Sequence, residues 1–109
     1  MQEADVTNEF ATEMNEMLRQ MARAVQHATK LTHDCVGGGV ERFRDACVCA
    51  SVVRASYSAA VEIREGYGGL EPGARYLALQ ELCDTITECI VAIESMLPQN
   101  RAATDAGVN

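Results

Sequence analysis

The chain has 109 residues, 48% of them apolar but only 5% aromatic, and a formal charge of −7 from 16 acidic and 9 basic side chains. That length accommodates one hydrophobic core, and an apolar fraction weighted to Ala, Val, Met and Leu suits packed helices rather than β-sandwiches, so no strands are expected. The acidic balance, with no stripe of Lys or Arg to follow a phosphate backbone, argues against nucleic acid as a partner.

Two glycine clusters, Gly37-Gly38-Gly39 and Gly66 to Gly69, cut the chain into three long segments. The first helix is predicted to start near Thr7 or Asn8, both good N-caps with Glu9 in the first turn, and to run to about Cys35. Its apolar seam is Phe10, Met14, Met17, Met21, Val25, Ala28 and Leu31, spaced by threes and fours. The second helix is predicted over about Val40 to Glu65, with one seam through Phe43, Cys47, Ala50, Val53, Tyr57 and Val61. A second seam runs through Cys49, Val52, Ser56, Ala59 and Ile63.

The third helix is predicted from Pro72, whose missing N–H suits a first helical turn, to about Leu97. Its main seam is Tyr76, Leu79, Cys83, Ile86, Ile90, Ile93 and Leu97, and a neighbouring strip adds Ala78, Leu82, Thr85, Cys89, Ala92 and Met96. Two apolar strips on one helix imply a neighbour on each side. After Pro98 the residues become small and polar, so 1–98 reads as the helical domain and 99–109 as a disordered tail. Helices of similar length joined by short connections make an all-α, antiparallel up-down bundle. It has three helices per chain, or four if the first breaks near Thr29 to Thr32; otherwise a second chain could complete a four-helix bundle, so a homodimer is expected.

Five cysteines is an odd count with no short loops to staple, which points to reduced thiols or metal ligands rather than a disulfide framework. Met1 to Asp5 bear no basic patch and lead into no apolar run of signal-peptide type, so the expected location is the cytoplasm. The weakly charged stretch from Ala46 to Val61 is interrupted by Arg54, and no membrane span is expected from it.

In adjacent antiparallel helices, residues at one level have a nearly constant sum of residue numbers. Helix ends at Glu65 and Pro72 set that sum at about 137 for the second and third helices, which puts Cys47 level with Ile90 and Cys49 with Glu88, beside Cys89. For the first and second helices the ends at Cys35 and Val40 set it at about 75, so His27 falls level with Val48. Cys47, Cys49, Cys89 and His27 are therefore expected in one layer, a donor set for Cu(I) and also for tetrahedral Zn(II). Cys83 lies deeper as a secondary candidate, with His33 and Cys35 at the mouth. Against this, Cys47 and Cys49 point roughly 200° apart on a helix, and a free Cys is often simply a small buried hydrophobe.

The stretch from Glu41 to Glu94, with Arg44-Asp45-Ala46-Cys47 in the second helix and Leu82-Cys83-Asp84-Thr85-Ile86-Thr87-Glu88-Cys89 in the third, resembles a depleted version of the cysteine-rich four-helix-bundle copper-binding proteins. The resemblance implies Cu(I) held by inward thiols and no catalysis. It departs from that family at Thr87 and Ile90, where further thiols would stand, and five cysteines cannot line a tube for bulk storage.

Two other classes compete with metal binding. His27-Ala28-Thr29-Lys30 has the His-x-x-Lys order of histidine phosphotransfer domains, with Gly37 at a compatible distance, but Leu31 occupies the position where that family has a small Gly. The bundle could instead be a non-catalytic interaction module of unspecified partner, with Met14, Met17 and Met21 as an adaptable face. No Ser-His-Asp or Cys-His grouping supports nucleophilic catalysis, and Gly37 to Gly39 lacks the following Lys-Ser/Thr of a phosphate loop.

Overall fold

The computed structural model describes residues 2–98, with side chains from Phe10 onward; the tail expected over 99–109 lies outside the described residues. Three helices follow one another in antiparallel order: α1 (Gln2–Asp34), α2 (Val40–Arg64) and α3 (Pro72–Ser95), with a 3₁₀ turn over Cys35–Gly38 joining α1 to α2. Each helix packs on both others, and no strand occurs among the described residues. The molecule is a rod of 63 × 24 × 17 Å with a radius of gyration of 17.3 Å. A compact globule of this size would have about 13 Å, so the core is a thin thread along the rod.

Helix α1 begins at Gln2, ahead of the expected start, because Gln2 to Val6 hold no Gly or Pro to stop it. It also runs unbroken through Thr29 to Thr32, so the described residues form three α-helices and not four. The threonines are accommodated without a break. Thr29 Oγ1 donates to the Val25 carbonyl one turn back at 2.9 Å, and Thr32 Oγ1 reaches across to the Ala46 carbonyl at 3.5 Å.

Glycine and proline set the ends as local chemistry dictates. Gly39, at φ 101°, opens α2 and accepts the Phe43 N–H at 3.0 Å. At the far end Gly66, at φ 102°, closes α2 in a Schellman motif, with Tyr67 N–H bonding the Glu62 carbonyl and Gly66 N–H the Ile63 carbonyl, each at 3.0 Å. Pro72 takes the first position of α3, and the Arg75 Nε, donating to the Leu70 carbonyl at 2.7 Å, ties the connecting loop to that helix.

The most deeply buried residues recur every seventh position: Met14, Met21, Ala28 and Cys35; Ala46, Val53 and Ala60; Leu79, Ile86 and Ile93. A strict seven-residue repeat is the pattern of helices wound gently around one another. On α1 and α3 it matches the seams expected from sequence. On α2 the core line runs through Ala46, Ala50, Val53, Ser56 and Ala60, between the two expected seams. Apolar residues surround α2, so periodicity cannot choose its inner face, and the small residues turn inward because they let three helices approach closely. Val48 and Val52 are left exposed. By length and composition α2 is apolar enough to cross a membrane, and only 28% of its most apolar stretch is buried.

Candidate functional site

The five cysteines are all free thiols: Cys35 in the 3₁₀ turn, Cys47 and Cys49 on α2, and Cys83 and Cys89 on α3. Cys49 on α2 and Cys89 on α3 are both half-buried and pack against the core, on helices that pack together. Burial pushes the Cys89 thiol above its usual range, and Cys49 and then Glu88 push it further. The α2 and α3 helix ends put both Cys47 and Cys49 within one residue of the level of Cys89. Cys47, two residues before Cys49, faces the other way, toward Cys35.

Cys35 is not at an open mouth. The 3₁₀ turn carries it under α3, fully buried, where its thiol approaches the Ile93 carbonyl at 3.7 Å. Burial raises its pKa, Asp34 and Cys47 add to the rise, and Arg42 opposes it. The Arg42 Nη1 is itself buried without a hydrogen-bond partner among the described residues, an orphan donor at the α1–α2 turn.

His27 is exposed on α1 and joins neither thiol pair. The interhelical bonds Thr32 to Ala46, and Arg64 Nε to Asn15 Oδ1 at 3.1 Å, also set a register shifted along α2 from the one the helix ends alone give, because the 3₁₀ turn continues the chain to Gly38 before it reverses. Among the described residues no three or more His, Cys, Asp or Glu side chains converge closely enough to hold one ion. Cys47, Cys49, Cys89 and His27 thus share a height only in part, and two thiols, not four donors, come together at the α2–α3 seam.

Cys83 faces the opposite seam, between α1 and α3. It lines a cleft of about 90 Å³ with Met21, Ala24 and Ile86, and a shallower groove of about 380 Å³ with Met17, Gln20 and Asp84. Burial, and secondarily Asp84, raises its pKa. Met17 and Met21, one turn apart on α1, thus each share a cleft with Cys83, a grouping of soft side chains that sequence reasoning did not make. The signal was available in the parallel relation of α1 and α3, which the ring contact of Phe10 with Tyr76 at 5.3 Å displays.

Three thiols held above the usual range are protonated at neutral pH and are poor nucleophiles. On α1, His27 and Lys30 are both exposed, which a phosphotransfer site requires but which any solvated helical pair also shows. No protein-family model matches the chain, and no curated protein or solved structure is detectably similar to it.

Proposed function

We propose that the chain binds a soft metal ion, Cu(I), between the thiols of Cys49 and Cys89, without catalysing a reaction. The observation that carries this reading is that two half-buried thiols stand on helices packed together, with Cys49 second only to burial in raising the Cys89 pKa. A cation between them replaces two protons and cancels the repulsion. Thiolate sulfur prefers Cu(I) to hard cations, and Cu(I) is satisfied by two such donors in line. Zn(II) remains the second candidate, but its tetrahedral shell needs two more donors than the pair supplies. Cys47 stands with Cys35, whose full burial closes that pair to an entering ion, and Cys83 offers a thiol flanked by Met17 and Met21. His27 stays outside all three settings. A reducing, cytoplasmic location is the setting in which such thiols persist.

The test is titration of the reduced chain with Cu(I) in competition with a chromophoric chelator. One tightly held Cu(I) is expected at the pair, lost in Cys49→Ser and in Cys89→Ser and retained in Cys83→Ser. Saturation should also raise the melting temperature, by an amount equivalent to about 2.7 kcal/mol when free ion is a hundred times the Kd. Full stoichiometry and affinity in both single-serine variants of the pair overturns the reading. The exposed apolar face of α2 favours a second reading, in which the chain is a helical interaction module.

A further inference from the structure

We propose that the outward face of α2 seats a second copy of this chain, docked antiparallel to form a twofold dimer. Val48, Val52, Ala55 and Ala59 follow at intervals of four, three and four, the spacing of a helix-packing seam. Val48 is 59% exposed and Val52 38%, Ala55 is exposed, and Ala59 is half-buried, so this stripe lies away from the core line through Ala46, Val53 and Ala60. Ser51 and Ser58 flank it with small side chains that allow close helix approach.

The charges at its two ends identify the occupant. Arg44 stands one turn before the stripe and Glu62 one turn after it, both exposed, and neither has an ion-pair partner within the chain among the described residues. They are separated by about five full helical turns, so they share one flank of α2. In an antiparallel pair of α2 helices, residues whose numbers sum to about 107 stand level: Val48 with Ala59, and Val52 with Ala55. The same flank of each helix then meets, and Arg44 of each copy faces Glu62 of the other, twice by symmetry. In a parallel pair, opposite flanks of the two helices meet, so Arg44 and Glu62 of the two copies do not face one another. The antiparallel orientation is thus the one in which Arg44 and Glu62 pair with each other at both ends of the stripe.

A bilayer is the competing occupant, since α2 passes for a membrane-crossing helix by length and composition. Its surroundings argue against that. Arg44, Arg54 and Glu62 border the stripe, and the exposed Glu13, Glu16, Arg19, Arg23 and Lys30 of α1 would be carried toward lipid with it.

The test is sedimentation velocity on the full, reduced, metal-free chain beside R44E, E62R and the double variant R44E/E62R, with circular dichroism to verify the helices. Working without metal separates this result from the thiol chemistry. The wild type should sediment as a dimer, and each single variant, placing like charges together at both ends, should dissociate at about tenfold higher concentration or more. The double variant should recover the wild-type dimer, and mixing R44E with E62R should yield a heterodimer. Ala55→Glu, in the middle of the stripe, should give a helical monomer. A wild type that stays monomeric through the micromolar range, single variants that dimerise as well as wild type, or a chain that floats with phosphatidylcholine vesicles instead of self-associating would each overturn the proposal.

Discussion

Leu79 and Leu77 stand two residues apart on α3, yet the first is 0% exposed and the second 60%. Replacing each by Ala removes the same atoms, so the difference between the two variants isolates burial. Leu79→Ala deletes about three carbon groups at roughly 0.8 kcal/mol each, or about 2.4 kcal/mol of transfer free energy. The α2 core line is a helix of mainly small residues that cannot extend into the space left, so the cavity persists and adds on the order of 1 kcal/mol. The expected total is about 3–4 kcal/mol, a large share of the roughly 5–10 kcal/mol that a domain of this size commands. At about 4 °C per kcal/mol the melting temperature should fall by roughly 12–16 °C. Leu77→Ala should change stability by no more than about 0.5 kcal/mol. Urea unfolding followed by circular dichroism, at one protein concentration for all variants, measures both. Equal losses in the two variants, or a loss below about 1 kcal/mol at Leu79, would refute the packing argument.

The glycine turn gives a second contrast: Gly39→Ala should cost about 1–2 kcal/mol because φ 101° is closed to L side chains, while Gly37→Ala should be neutral or stabilising by up to about 1 kcal/mol. A Cβ at Gly37 meets only Pro98 Cγ, at an ordinary 3.7 Å, and thermal melts that rank the two the other way would contradict the assigned turn. For the thiol pair, the pH profile of Cys89 alkylation should have its midpoint above the ordinary 9.0 and move down in Cys49→Ser, since a neighbouring thiolate is removed. A profile indifferent to Cys49 would mean that the two sulfurs do not interact. Folding raises the pKa of Cys35, Cys83 and Cys89, so it favours their protonated forms; that stability is present below pH 9.0 and is lost as pH climbs through the raised values. Melting temperatures should therefore drop above pH 9.0, and less steeply in Cys83→Ala.

The all-helical class and the two breaks between helices were legible without coordinates, because they follow from residues acting within a few positions of themselves; whether the first helix breaks near Thr29 to Thr32 was not. Gly66 closes α2 and Pro72 opens α3 for reasons of backbone torsion alone. The inner faces of α1 and α3 were legible too, since each carries one dominant apolar stripe. The start of α1 was less so: good caps at Thr7 and Asn8 do not stop a helix that has nothing to break it upstream.

Sequence by itself determined an all-helical chain cut into three long segments, a consequence of local torsion, periodicity and helix length. Only the tertiary structure decided which side of α2 faces inward, that Cys35 is buried under α3, and that Cys83 shares clefts with Met17 and Met21. Height along a helix is counted from its ends, whereas direction around it depends on where the other helices stand. On a helix apolar all round, no pattern within its own residues carries that direction.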